Sequence, residues 1–185
     1  MKQDFIMPIA VLLIICIIVT GALAATNELT APIIAQSASD RAAASMREIL
    51  PEADEFTAID LTEEMIENGV TEMYDAIAGD EQVGYIAVSS ADGYGGKSSI
   101  IIIIAVSPEH TVINLKTLKN AETQGLGSRV SEPEFESTFI GSNASFADYE
   151  AISGATVSSQ AYFSAVDHAL QACADVTQSR GGYVS

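Results

Sequence analysis

Positive charge is scarce in this chain: eight Lys and Arg stand against 25 Asp and Glu in 185 residues, a formal charge of -17 at pH 7. Such a polyanion repels a phosphate backbone, which excludes nucleic acid as a partner. The only histidines are His110 and His168, and neither has neighbours at metal-ligand spacing, so a zinc or haem site has no support. Cysteine is equally rare, with Cys16 and Cys173 alone. Cys16 lies inside an apolar run and Cys173 on the apolar face of a predicted helix, so no disulfide is expected and Cys173 reads as a small core residue. No Gly-x-Gly-x-x-Gly follows a strand, which argues against a Rossmann-type nicotinamide site. Ser153 is not set in Gly-x-Ser-x-Gly, so a serine hydrolase is not indicated either.

Hydrophobic residues are abundant. Phe5 to Ala25 carry no charge and are rich in Ile, Leu and Val, enough to cross a hydrocarbon core as one helix. Pro8 falls in its first turns, where proline is tolerated. We read residues 1–26 as a transmembrane anchor and 27–185 as one exported domain. The alternative is a cleaved signal peptide, because Ala22-Leu23-Ala24 has the small-x-small pattern of a cleavage site. Ile15 is too large for a lipobox before Cys16, so lipidation is not expected. Lys2 precedes the span and the first charge after it is Glu28, an asymmetry that puts the domain on the extracytoplasmic side of the cell membrane.

Within the domain, Ser39 and Asp40 are set to cap a helix ending at Leu50 before Pro51. Strands are expected at Phe56 to Leu61, Val70 to Ala78 and Val83 to Ser89. The run Ile100-Ile101-Ile102-Ile103-Ile104-Ala105-Val106 is too short to span a membrane and reads as a central strand buried on both faces. Pro108-Glu109-His110 turns it back into a second strand, Thr111 to Leu118, as an antiparallel hairpin. A short acidic helix at Pro133 to Phe139 follows, then a long one from about Ser158 with Tyr162, Val166, Leu170, Cys173 and Thr177 near one face. Helices flanking strands in this order predict an α+β domain on an antiparallel sheet.

Three segments carry the functional signal. Ser153-Gly154-Ala155-Thr156 places a hydroxyl with little surrounding bulk where the last helix begins, and the first N–H groups of a helix favour an anion such as phosphate. Gly93-Tyr94-Gly95-Gly96 is a turn whose glycines admit close approach to a flat ligand while Tyr94 offers an aromatic edge, or is simply a hairpin turn. Glu122-Thr123-Gln124-Gly125-Leu126-Gly127 has the same two readings: Gly125 and Gly127 shape a loop that presents Leu126 as an apolar lid, and Glu122 and Thr123 bond a ligand or organise the turn.

In their order along the chain these segments resemble the G-Y-G-G, E-T-P-G-L-G and S-G-A-T motifs of the FMN-binding domain family. Gln124 stands in place of the family's proline, and Asn120 where a histidine is frequent. With the anchor and the chain length, the resemblance extends over the whole chain to the G subunits of Rnf electron-transport complexes. The longer homologous subunit of sodium-pumping NADH:quinone reductases is a weaker match. The resemblance implies FMN held on Thr156 by a phosphoester bond, installed by a flavin transferase from FAD with loss of AMP. It implies cofactor contacts from Ser153, Gly154, Ala155, Tyr94, Glu122, Thr123, Gly125, Leu126 and Gly127. It further implies an electron-transfer subunit, with no catalytic residue of its own, coupling ferredoxin-linked electron transport to ion translocation among other membrane subunits. The acidic surface serves solubility or attracts a basic redox protein such as a cytochrome. A membrane-anchored binding or scaffold domain without functional flavin is the alternative from a different class.

Overall fold

The computed structural model describes residues 44–143, 146 and 149–181, together with helical residues 12–13, 15–17 and 19–21. The chain divides into two compact units, Met1–Ala44 and Ser45–Ser185. In the first, the described residues are helical and exposed, and most of the expected anchor lies outside the described residues. Among the described residues no helix is long and apolar enough to cross a membrane.

The second unit is α+β. Its sheet is a five-stranded antiparallel meander in the order β1-β2-β3-β4-β5. The strands are β1 (Glu55–Ala58), β2 (Val70–Ala78), β3 (Glu81–Gly93), β4 (Gly96–Val106) and β5 (Val112–Asn120). The isoleucine run forms β4, between β3 and β5. Branching at Cβ suits a pleated strand covered on both sides, and Ile100, Ile102, Ile103, Ile104, Ala105 and Val106 are all at most 1 % exposed.

Period-two alternation sends these residues to two cores. Ile100, Ile102, Ile104 and Val106 join Tyr85, Ala87 and Leu115 in the main cluster, beneath a long helix. Ile103 and Ala105 face the other way, where Met46, Ile49 and Leu50 are buried. These three come from α1, whose described part is 44–49, and from the residue that follows it. Asn114, paired with Ala105, donates from Nδ2 to the Ile49 carbonyl at 3.2 Å, and Lys116 meets Glu48 at 2.8 Å. The expected cap at Ser39 and Asp40 lies outside the described residues.

A short helix that the sequence pattern did not predict, α2 (Glu63–Glu67), is capped by Thr62, whose Oγ1 accepts from Met65 N at 3.3 Å. Glu63 and Glu64 in its first turn complement the helix dipole. The acidic helix is α3 (Pro133–Ser137) and the long helix is α4 (Thr156–Gly181). Ala161, Ala165, Ala169 and Ala172 are buried on α4, and such small residues let a helix lie close against β3 and β4. Tyr162 and Phe139, fully buried, belong with Phe135, Phe146, Tyr149 and Phe163 to one aromatic cluster with ring centroids 4.9 to 6.1 Å apart. At the far end of α4, Thr177 Oγ1 lies 3.0 Å from Tyr85 Oη, and Arg180 makes a bidentate pair with Asp75 at 2.7 and 2.8 Å. Cys173 is buried, and desolvation pushes its thiol up to about 12, so it stays a protonated core residue.

The hairpin strands run further than expected. β3 continues to Gly93 and β4 starts at Gly96, because Gly93 pairs with Gly96 across the turn and carries the ladder past the apolar stretch. That extension places the Gly-Tyr-Gly-Gly turn at the same end of the sheet as the start of α4.

Candidate functional site

Three chain segments meet at that end. In the β3–β4 turn, Ser99 Oγ accepts from Gly93 N at 2.9 Å and Asp92 Oδ1 from Ser98 N at 2.7 Å. Gly96 holds φ +99. A Cβ on Gly95 would strike the Ala121 carbonyl, so glycine is needed there for the approach of the next loop.

That loop follows β5. Asn120 organises it: Oδ1 accepts from Glu122 N at 3.0 Å, while Nδ2 donates to Ser128 O at 3.2 Å and Ser131 Oγ at 3.0 Å. The Thr123 carbonyl takes Ser128 N at 3.1 Å, Gly125 turns through φ +79, and a 3-10 helix runs over Gly127–Ser131.

The third segment enters α4. Ala155 N bonds Ile152 O at 2.9 Å with Gly154 at φ +82, a tight turn that needs glycine at its third position. Ser159 Oγ accepts from Ile152 N at 3.0 Å and donates to Ala155 O at 3.0 Å. The first intrahelical bond is Ser159 N to Ala155 O at 2.9 Å. The N–H groups of Thr156, Val157 and Ser158 therefore precede the helical ladder and point out of the helix start. These local bonds begin α4 at Thr156 rather than at Ser158, and the Thr156 side chain is exposed.

Between the segments lies a cleft of about 480 Å³. Tyr94 lines it from the hairpin turn, Thr123, Leu126 and Gly127 from the loop, and Gly154, Ala155, Thr156, Val157 and Ser158 from the helix entry. All three motifs read from the sequence thus contribute to one cavity. Of the ten residues expected to hold the cofactor, Ser153, Glu122 and Gly125 do not line it. Val157 and Ser158 do line it and were not expected to, although their place in the first turn of a helix after the S-G-A-T segment was a usable signal. Tyr94, Leu126 and Val157 are 74 %, 50 % and 52 % exposed, an apolar rim of the kind that marks a ligand site.

Glu122 is 7 % exposed, and its carboxylate accepts from Tyr94 N, Gly95 N and Ser158 Oγ. Burial alone would raise its pKa. Donors from Ser158, Ser99, Gly95 and Tyr94 outweigh that and hold it below the usual carboxylate range.

A larger groove of about 780 Å³, lined among others by Gly69, Asp92, Lys97 and His168, lies along another flank of α4. It gathers none of the three motifs, so size is a poorer guide here than chemistry. Among the described residues no group of three or more His, Cys, Asp or Glu is placed to hold a metal ion.

The cleft fits a flat, phosphate-bearing cofactor: exposed apolar edges at one part, and at another free helix N–H groups beside an exposed hydroxyl. Residues 93–171, which span all three walls, match the FMN-binding domain family. The chain is 31 % identical to the G subunit of the ion-translocating oxidoreductase complex of Methanosarcina acetivorans, over 68 % of its own length and 71 % of that protein. It is 28 % identical to the G subunit of the proton-translocating ferredoxin:NAD(+) oxidoreductase complex of Clostridium ljungdahlii, over 92 % and 91 %. To the Na(+)-translocating counterpart of Acetobacterium woodii it is 26 % identical over 87 % of each chain. The chain belongs to the family of G subunits of Rnf-type ion-translocating oxidoreductase complexes.

Proposed function

We propose that this protein is the FMN-carrying electron-transfer subunit of an Rnf-type complex, with the cofactor in phosphoester linkage to Thr156. The observation that carries this reading is the convergence of three separated motifs on one cleft with the Thr156 side chain exposed at the first turn of α4. FMN supplies the redox chemistry when bound. The chain does the rest. The N–H groups of Thr156, Val157 and Ser158 favour the phosphate. Gly154 and Ala155 keep bulk away from the Thr156 hydroxyl, and Tyr94, Leu126 and Val157 offer apolar surface to the ring.

Thr156 needs no neighbouring base, since a flavin transferase performs the attachment and Ser153 to Thr156 serves as its substrate sequence. Glu150, six residues before Thr156, keeps the negative charge found at that position in such substrates. Residues 5–25 anchor the protein in the cell membrane with the domain outside the cytoplasm, where a cofactor that dissociated would be lost. Its partners are the other subunits of the complex and, through the acidic surface, a basic redox protein such as a cytochrome.

The test is the intact mass of protein from a host that expresses the transferase. One FMN, less water, retained after denaturation is expected, and its absence overturns the covalent assignment. The alternative of an anchored binding domain without flavin predicts no visible absorbance in the native protein.

A further inference from the structure

Behind the cleft wall sits a buried anion. Glu122 Oε2 accepts from Ser158 Oγ at 2.6 Å and Tyr94 N at 3.0 Å, and Oε1 accepts from Gly95 N at 3.0 Å. The donors come from the hairpin turn and from α4, while Glu122 belongs to the third wall, so one side chain ties all three together. The backbone around it is cut to fit. A Cβ on Gly93 would strike Glu122 Oε1, and a Cβ on Gly127 would come within 2.5 Å of Ser158 Oγ and 2.8 Å of Glu122 Cβ. Asn120 Oδ1, bonded to Glu122 N at 3.0 Å, fixes where the side chain starts.

All three of these partners donate, Ser99 adds a fourth donor, and a carboxylate has acceptor capacity for each. An amide has a single accepting oxygen for the same four donors. The desolvation of a buried charge is offset only by such a full set of charge-assisted bonds.

We propose that Glu122 is the positioning residue of the cleft: its carboxylate clamps the three walls in one geometry, and its fixed charge behind Gly127 and Ser158 lowers the reduction potential of a flavin held there. Reduction brings negative charge onto the ring, and a buried anion behind the cleft wall would oppose that gain. The second half of this inference rests on the flavin assignment above, whereas the clamp does not.

The experiment compares the full-length chain with Glu122→Gln, which removes the charge, and Glu122→Asp, which keeps the charge on a shorter arm. Amide hydrogen exchange is measured on flavin-free protein. In both variants the Tyr94 and Gly95 amides should exchange about tenfold faster or more, while those of Ile102 to Ile104 keep their protection, since these two amides lose a charged acceptor. The midpoint potential is then measured on flavin-loaded protein. Glu122→Gln should shift it positive, favouring reduction by on the order of tenfold, and Glu122→Asp should stay near wild type. Wild-type exchange at Tyr94 and Gly95 in both variants overturns the clamp. An unmoved midpoint in fully loaded Glu122→Gln overturns the electrostatic role. Should Glu122→Gln lose protection throughout β4, Glu122→Asp decides: faster exchange at the two amides with a near-wild-type midpoint supports the proposal, and unchanged exchange defeats it. A wild-type chain that takes up no flavin sinks the flavin assignment, and the exchange measurement still decides the clamp.

Discussion

Thr156 occupies the first helical position with its side chain exposed, so its hydroxyl is available for chemistry without being needed for packing. Thr156→Ala should abolish flavin fluorescence from denatured protein while lowering stability by about 1 kcal/mol or less. Thr156→Ser, which keeps an oxygen, should retain partial labelling. Fluorescence persisting in the alanine variant after denaturation would place the bond elsewhere. Leu126 is half exposed on the cleft rim, where Leu126→Asp should keep the covalent flavin and shift its midpoint negative, because a carboxylate near the ring opposes reduction. Redox titration of the two loaded proteins checks this. Glu122 makes a pH prediction. Its folded value lies below the ordinary 4.5, so on acidification the unfolded chain takes up the proton first. The stability it contributes is complete above 4.5 and is lost as pH falls through the lowered folded value. Urea melts at about pH 5 and about pH 3 should therefore show a larger loss for wild type than for Glu122→Gln, the other carboxylates being common to both.

At the scale of the elements, α4 links the site to the core. Its first turn forms one wall of the cleft, its middle lies over β3 and β4, and its end is tied to β2 and β3 through Arg180 and Thr177. Tyr162 is fully buried in the aromatic cluster, with its hydroxyl only loosely held, 3.3 Å from Thr117 Oγ1 and 3.4 Å from Glu136 Oε1. Tyr162→Ala should cost about 3 to 5 kcal/mol through the cavity it leaves. Tyr162→Phe, which keeps the ring, should cost about 1 kcal/mol or less. Denaturant unfolding separates the two, and equal losses would show that the hydroxyl rather than the ring matters. The isoleucine strand was legible because a run of β-branched residues has few alternatives. The extra length of β3 and β4 was not, because Asp92, Ser98 and Ser99 become strand or turn residues only through bonds across the hairpin. α2 was not legible either, because five residues make too short a period to stand out.

For the whole molecule the dominant quantity is charge. With a formal -17, association with a basic redox partner should slow as salt rises, since exposed charges are screened beyond about 10 Å at ~0.1 M ionic strength. Stopped-flow electron transfer at several ionic strengths measures this, and a rate indifferent to salt argues against electrostatic docking. Topology has its own test. A reporter active only in the cytoplasm should work when fused before Met1 and stay silent after Ser185. The reverse pattern overturns the orientation, and release of soluble domain by the native host points to cleavage after Ala24.

The sequence by itself determined the isoleucine strand as an interior strand of the sheet, though β3 and not β4 is the central one, together with the long final helix and the three motifs, because β-branching, helical periodicity and glycine at tight turns are local properties. It also determined that Thr156 stands where a helix begins. Only the tertiary structure decided that the three motifs share one cleft, since residues 93–96, 122–127 and 153–158 meet only through the hairpin ladder and the packing of α4. Tertiary structure likewise separated Glu122 from the residues that line the cleft. Whether a carboxylate faces a ligand or its own backbone depends on which donors the fold brings within 3.0 Å, and Tyr94, Gly95 and Ser158 lie 27 to 36 residues away along the chain.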